Sequence, residues 1–392
     1  MTGMAQSGVV GSGWPVVWTA FAVAVFGWGV GFYGPTVYLA ALHRDHGWSI
    51  STLSAAITAH FLVSAALIAR LPALYRRAGI ARVTIGGVLL AAAGVLAWAN
   101  VRETWHLIPA LLLSGAGWSA MSGAALNAII APWFDRERPK AISMAFNGAS
   151  VGGLIFAPLW TWAITSVGMG LAAVAISGAM IMATCPLAWL YLRQPPKSVG
   201  LKSEPPSPSR TLVRQSRFQT LSAAFALGLF AQIGLFSHLI ARLAPGVGSD
   251  LAALAVSLTT LCAILGRTLL GWLLGETDRR RAAAMNLSIQ AVGSLFLAFG
   301  ENPALLVGGC VLFGLGVGNL TSLPPLIAQR EFRPADAGTV VALVTAINQA
   351  VFAFAPAIFG ALRDLNANYV VAFVLAAIVQ VMAAVIVVGG RR

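Results

Sequence analysis

The sequence has very little charge. Asp, Glu, Lys and Arg make up 9% of its 392 residues, whereas 58% are hydrophobic. Soluble globular proteins contain about 25% charged residues, so water cannot solvate most of this chain. Carboxylates are the scarcest charged groups, and all twelve lie in predicted loops or at predicted helix ends. The composition excludes a soluble globular protein and predicts a polytopic membrane protein.

Cysteine is also scarce. The three cysteines, Cys185, Cys262 and Cys310, lie in apolar runs, with neither metal-ligand spacing nor a disulfide framework. The predicted spans contain no nucleophile–base pair and no metal cluster, so we expect neither an enzyme nor a cofactor. The net charge of +13 comes from basic residues in particular loops, which favours membrane orientation over a nucleic-acid partner.

Apolar runs of about 20 residues, each long enough to cross a bilayer, follow one another along the chain. They predict an all-α membrane protein with twelve transmembrane helices, near 14–42, 49–70, 82–100, 107–133, 141–166, 169–192, 218–241, 251–275, 282–300, 303–328, 338–361 and 368–390. The Pro-rich, basic stretch 193–217 cannot bury a core and is predicted to be a cytoplasmic linker. It separates two six-helix bundles, 1–192 and 218–392.

The loops on alternate sides of the predicted spans differ in basic content. One side carries 20 Lys and Arg residues, and the other carries only Arg44, Arg102, Arg242 and Arg363. The positive-inside rule therefore places both termini in the cytoplasm, and we expect a multi-pass protein of the cell inner (plasma) membrane. The two halves also repeat each other, since a Phe-Ala-Pro sequence ends at Pro158 and again, 198 residues later, at Pro356. Duplicated six-helix halves predict a binding site near the midplane and alternating access.

Arg267 is the only charged residue in the apolar run from Leu251 to Leu274. A charged side chain at the bilayer centre costs about 2.5 to 3.5 kcal/mol even on insertion scales. No intramembrane carboxylate is available to pair with it or to relay protons, which argues against a drug/proton antiporter. One interpretation is a boundary arginine that reaches the headgroups. The other, which we favour, is a fixed cation whose missing anion is the substrate.

Two short motifs carry a resemblance to a known family. The sequence from Trp133 and Phe134, through the charged turn Asp-Arg-Glu-Arg-Pro-Lys, to Gly152 resembles the loop 4–5 signature of the monocarboxylate transporter and oxalate/formate antiporter branch of the major facilitator superfamily. Gly266-Arg267-x-x-x-Gly271 resembles its helix 8, where an arginine binds the substrate carboxylate. The twelve spans and the repeat resemble the superfamily as a whole. The resemblance implies the major facilitator fold and a transported anion.

The sequence departs from this branch at several positions. Ala263 stands one turn before Arg267, where animal monocarboxylate transporters carry aspartate, and Thr36 stands where they carry lysine. The superfamily signature of loop 2–3 is eroded, with only Arg77 and Gly79 matching.

Polar and aromatic residues at mid-helix complete the predicted site. We expect Arg267 to pair with the carboxylate, polar side chains to hydrogen-bond it, and aromatic side chains to enclose the apolar part of the substrate. The polar set is Tyr33, Ser119, Ser122, Asn348 and Gln349, and the aromatic set is Phe32, Trp118 and Phe352. For the polar set, interhelical hydrogen bonds are the alternative interpretation.

His238 is the candidate proton carrier, because imidazole titrates near neutral pH. Charged residues at the predicted cytoplasmic mouth, Asp135, Arg138, Arg333 and Asp336, are candidates for a gate; a solvated positive flank is the alternative. The prediction is a secondary transporter of a small organic anion, most simply a monocarboxylate, moving with a proton or in exchange for another anion. Alternatives are an exporter of drugs, sugars or other neutral compounds with a structural Arg267, and a membrane sensor that does not transport.

Overall fold

The computed structural model describes residues 13–135, 137–193, 205–275 and 277–390, and its spans are all helical. Within these described residues, ten helical segments are long and apolar enough to cross a bilayer, and one bent pair of helices makes a further span. The spans are α1 Trp14–His46, α2 Thr52–Ile68 with Leu71–Ala78, α3 Ile80–Ala99, α4 Thr104–Ile130, α5 and α6 within Arg138–Tyr191, α7 Ser216–Ser237, α8 Ser249–Leu273, α9 Arg279–Phe299, α10 Pro303–Glu331, α11 Pro334–Asn366 and α12 Val370–Gly389.

The segment Arg138–Tyr191 is too long for one span. Its 54 residues would rise about 80 Å as a single helix, whereas the hydrocarbon core is about 30 Å thick. At Gly168 the backbone leaves the helical region, with φ of +81°, a conformation that glycine adopts at little cost. This kink divides the segment into α5 (138–167) and α6 (169–191). The predicted twelve-helix architecture is confirmed for the described part of the chain.

Some helix ends differ from the prediction. The predicted span 49–70 continues, after a 56° bend, into the short helix Leu71–Ala78, which includes Arg76 and Arg77. Helices α5 and α11 begin three and four residues earlier than predicted, at Arg138 and Pro334. A proline lies in the first turn of each of these three helices, where its missing N–H costs nothing.

Of the predicted linker 193–217, residues 194–204 lie outside the described residues. The described remainder forms the short helix Ser209–Val213, and α7 begins at Ser216.

Three spans are interrupted near their middle. The α-helical part of α4 stops at Ala120 and resumes at Gly123, and α10 is broken at Gly318. Ala120 and Gly318 are 198 residues apart, the same offset that relates the two Phe-Ala-Pro sequences. In α1, residues Gly27–Phe32 form a π-helical turn. Interrupted helices at midplane height are typical of transporter binding sites.

Each half has its own aromatic core. The fully buried large side chains are Trp98, Trp160, Tyr38 and Phe146 in the first six spans, and Phe225, Phe313, Phe359 and Phe373 in the last six. Many large apolar side chains point outward, among them Trp162, Trp272 and Leu273. In a bilayer these contact lipid, so their exposure agrees with a membrane protein.

Candidate functional site

A cavity lies between the two halves, with an empty volume of about 1040 Å³ including its opening to solvent. Side chains from both halves line it, on spans α1, α4, α5, α7, α8, α10 and α11. Eight of the nine predicted substrate-binding residues are in its wall: Phe32, Tyr33, Trp118, Ser122, Arg267, Asn348, Gln349 and Phe352. The structure therefore brings together residues that are more than 300 positions apart in the sequence.

Arg267 lines the cavity and is only 3% exposed. Its Nε donates to the carbonyl of Gly318 at 3.0 Å, so it contacts α10 in its own half. Its Nη1 reaches across to α5, where it lies 2.7 Å from the carbonyl oxygen of Phe146, 3.1 Å from Asn147 Oδ1 and 3.2 Å from Ser150 Oγ. All four acceptors are neutral, and Nη2 has no hydrogen-bond partner among the described residues. The guanidinium is thus held in place with its charge uncompensated.

Two glycines make this position of Arg267 possible. A Cβ on Gly266 would lie 2.0 Å from the carbonyl oxygen of Leu315, so only glycine lets α8 approach α10 this closely. A Cβ on Gly318 would lie 2.3 Å from Nη2 of Arg267. Gly266 of α8 and Gly318 at the break of α10 therefore both leave the space that the guanidinium of Arg267 needs.

Aromatic rings form much of the rest of the wall. Trp28 and Trp118 pack edge to face with ring centroids 4.8 Å apart, and Phe32 and Phe352 meet across the two halves at 6.1 Å. The π-helical turn of α1 ends at Phe32, just before Tyr33. The Tyr33 hydroxyl has no hydrogen-bond partner among the described side chains and backbone groups, so it is free to bind a ligand. A wall of this kind, mostly apolar with a few polar groups, suits a small organic molecule.

Gln349 joins the two halves. Its Oε1 accepts from Trp118 Nε1 of α4 at 2.9 Å, and its Nε2 donates to the backbone carbonyl of Phe61 of α2 at 2.9 Å. Both ends of the amide are therefore used by the protein, and its role is consistent with the interhelical alternative.

We expect Gln349→Leu to lower the apparent melting temperature, because it leaves the buried indole N–H of Trp118 without an acceptor. A buried donor left unpaired costs about 1 to 3 kcal/mol. Thermal unfolding followed by tryptophan fluorescence in detergent measures the change. The matched control is Asn348→Leu on the same helix, since the Asn348 amide makes no hydrogen bond to described residues. Equal melting temperatures for the two variants would contradict this role.

Three other predicted residues either lie away from the cavity or use their side chains to bond to backbone carbonyls. Ser119 does not line the cavity and donates to the Ala116 carbonyl at 2.7 Å. Ser122 lines it but donates to the Ser119 carbonyl at 2.8 Å. His238 ends α7 away from the cavity, with Nε2 3.0 Å from the carbonyl oxygen of Pro356. The described residues contain no group of three His, Cys, Asp or Glu side chains that could hold a metal ion.

The predicted gate residues do not pair with one another across the halves. Asp135 accepts from Gln329 Nε2 of α10 at 3.1 Å, so it does connect the halves, but through an amide. Arg138 donates to the Phe134 and Ala131 carbonyls in its own half.

Arg333 and Asp336 form an ion pair within the first turn of α11, with Nε 2.9 Å from Oδ2. Asp336 is only 3% exposed, and it also accepts from the backbone N–H of Ser207 at 2.6 Å. This pair therefore fixes the end of the linker against α11.

Five polar residues of the cavity wall were not among the predicted site residues: Ser150, Gln232, Thr260, Thr321 and Thr345. Gln232 is the most informative, because it is the only amide in the apolar part of α7, and a polar residue inside a span is itself a signal of function. Asn147, which is not among the predicted site residues, contacts Arg267 and also donates to Thr268 Oγ1 of α8 at 2.8 Å.

The family model for the Major Facilitator Superfamily matches residues 19–356 and 242–390. The chain belongs to this superfamily. It is similar to monocarboxylate transporter 13 of Bos taurus, with 26% identity over 297 residues, which is 74% of this chain and 68% of that protein.

Solved structures of similar fold include the E. coli fucose:proton symporter, with a TM-score of 0.74, 15% identity and coverage of 96% and 99% of the two chains. The human organic anion transporter MFSD10 (TETRAN) also gives a TM-score of 0.74, with 16% identity and the same coverage. These likenesses agree with the fold described above, and the chain is a multi-pass membrane transporter of this superfamily.

Proposed function

We propose that this major facilitator transporter carries a small organic anion, a monocarboxylate, across the cell inner (plasma) membrane by alternating access. The observation that supports it is the state of Arg267: a buried guanidinium in the wall of the central cavity, held by neutral oxygens alone. A buried charge without a counter-charge is costly, and a substrate carboxylate supplies that counter-charge. Nη2 of this guanidinium has no partner among the described residues and is left to donate a charge-assisted hydrogen bond to that carboxylate.

The other wall residues support the same substrate. The free hydroxyl of Tyr33 offers a further donor to the carboxylate, and the aromatic rings of Phe32, Trp118 and Phe352 suit its apolar part. The similarity to monocarboxylate transporter 13 of Bos taurus agrees with this choice. Contacts between the halves, such as Asp135 with Gln329, have to separate when the cavity opens to the cytoplasm.

The first test is uptake by proteoliposomes of radiolabelled monocarboxylates, each beside its primary amide. The two compounds have nearly the same size, but only the acid has a charge. We expect uptake of the acid at a rate at least ~10-fold above that of the amide, because the amide leaves the charge of Arg267 uncompensated. Uptake of acid and amide at similar rates would instead indicate a neutral substrate and a structural arginine.

Coupling is tested in the same vesicles. An inward proton gradient that accelerates uptake indicates proton symport, whereas acceleration by preloaded unlabelled acid indicates exchange. If a proton is carried on His238, the His238→Gln variant retains exchange but loses its response to the proton gradient.

A further inference from the structure

Two amide side chains in the cavity wall have no hydrogen-bond partner among the described residues. Gln232 of α7 and Asn348 of α11 are each only 4% exposed, and both line the cavity. Gln232 Oε1 and Asn348 Oδ1 are buried acceptors without any donor, and neither amide nitrogen donates to a described residue. A buried polar group without a partner costs free energy, so native proteins usually satisfy such groups with protein, water or ligand.

The position of these two amides separates them from other unpaired polar groups. Gln290 in α9, for example, is also buried with both ends of its amide unpaired, but it does not line the cavity. Among the described residues with a buried unpaired polar atom, Gln232 and Asn348 alone belong to the cavity wall. The neighbouring amide of Gln349 is satisfied at both ends by protein groups. The unpaired amides of Gln232 and Asn348 are therefore available to bind a ligand in the cavity.

We propose that Gln232 and Asn348 form a second recognition point that binds a hydroxyl group of the substrate. This inference rests on the proposed function and narrows it: the transported monocarboxylate carries a hydroxyl in addition to its carboxylate. A hydroxyl is both a donor and an acceptor, so it donates to the oxygen of one amide and accepts from the NH₂ group of the other. An unsubstituted aliphatic acid leaves both amides unpaired.

Other polar substituents fit the wall less well. Arg267 is the only charged residue that lines the cavity among the described residues. An ammonium group on the substrate would lie in the same cavity as this cation without a carboxylate to balance it. A second carboxylate would accept from the amide NH₂ groups only, so it would leave both amide oxygens unpaired, and it would meet no second cation among the described residues. A neutral hydroxyl avoids both costs.

The arrangement of the helices places the two recognition points on different walls. Arg267 of α8 is bonded to α5 and α10, whereas Gln232 and Asn348 lie on α7 and α11, which pack against each other. A substrate that binds both points therefore bridges different helices of the cavity wall. This would favour acids whose hydroxyl is separated from the carboxylate by several carbon atoms.

The test compares butyrate and hexanoate with their terminally hydroxylated derivatives. Each acid is used as a competitor of the uptake of a radiolabelled monocarboxylate into proteoliposomes. Each is also used as a ligand in a thermal-shift assay. For the wild type we expect each hydroxylated acid to compete about tenfold more strongly than its parent, because it alone pairs the buried amides. In Gln232→Met and Asn348→Leu this ratio should fall towards one, while the parent acids compete at least as well as before. The thermal shift of the wild type measures the same preference without any variant.

The matched control is Gln290→Met, which removes an equally unpaired buried amide outside the cavity. It should keep the wild-type ratio. If the wild type binds parent and hydroxylated acids equally, or if both cavity variants keep the preference, water satisfies the amides and the hydroxyl site is refuted. If no carboxylate competes or shifts the melting temperature at all, the proposed function itself fails, and this inference fails with it.

Discussion

Arg267→Ala is expected to lose at least ~100-fold of the transport efficiency for monocarboxylates. Nη2, which has no partner among the described residues, offers a carboxylate a charge-assisted hydrogen bond of about 1.5 to 3 kcal/mol, and the buried positive charge adds a Coulomb attraction; alanine offers neither. Arg267→Lys keeps the charge but loses both the planar fork and the Nε–H that bonds to Gly318. We expect it to lie between wild type and alanine and to recover only a small part of the rate. Initial uptake rates in proteoliposomes measure all three.

The control for this prediction is Arg242→Ala. Arg242 lies in the same half, but within the described part of the chain its guanidinium donates only to the carbonyls of Ala298 and Gly300, and it does not line the cavity. Its loss should leave the uptake rate close to that of wild type. The melting temperature of each variant checks that it is folded. In Arg267→Ala, the loss of hydrogen bonds lowers the stability, whereas the removal of an unpaired buried charge raises it. A folded Arg267→Ala protein that transports at the wild-type rate would show that the arginine is architectural.

The fold was largely predictable because the bilayer leaves few choices. Every backbone polar group must be satisfied within the segment, so a run of about 20 apolar residues becomes a helix. The interruptions inside the spans were not predictable in the same way. The π-helical turn at Gly27–Phe32 and the breaks at Ala120 and Gly318 depend on contacts with neighbouring helices, and hydropathy does not encode them.

The sequence predicted eight of the residues that line the candidate site, but not which of them bond to the protein and which are left for a ligand. Asn348 and Gln349 are adjacent amides with the same chemistry, and the sequence predicts that both bind substrate. Successive helical residues point about 100° apart, and in the structure Gln349 bonds across to the other half while Asn348 stays open. Likewise, the sequence could not tell that Arg333 pairs with Asp336 in its own helix.

Gly266→Ala is expected to destabilise the protein and to impair transport together. Elsewhere in a helix, replacing glycine by alanine stabilises by about 0.5 to 1 kcal/mol, because alanine loses less backbone entropy on folding. At Gly266 the new Cβ would lie 2.0 Å from the carbonyl oxygen of Leu315, so α8 and α10 must move apart. Overpacking of this kind costs about 1 to 3 kcal/mol, occasionally more. The melting temperature and the uptake rate measure the two effects.

The matched control is Gly178→Ala in α6, where an added Cβ meets nothing within 4 Å. We expect this variant to melt at or slightly above the wild-type temperature and to transport normally. The loss of transport in Gly266→Ala follows from the geometry of the next residue: when α8 moves away from α10, Arg267 Nε can no longer reach the Gly318 carbonyl at 3.0 Å, and the guanidinium is no longer held in the cavity wall. If Gly266→Ala melts and transports as Gly178→Ala does, the close approach of α8 and α10 is not what positions the arginine. A stable Gly266→Ala protein that has lost only transport would instead show that small shifts of Arg267 matter more than packing.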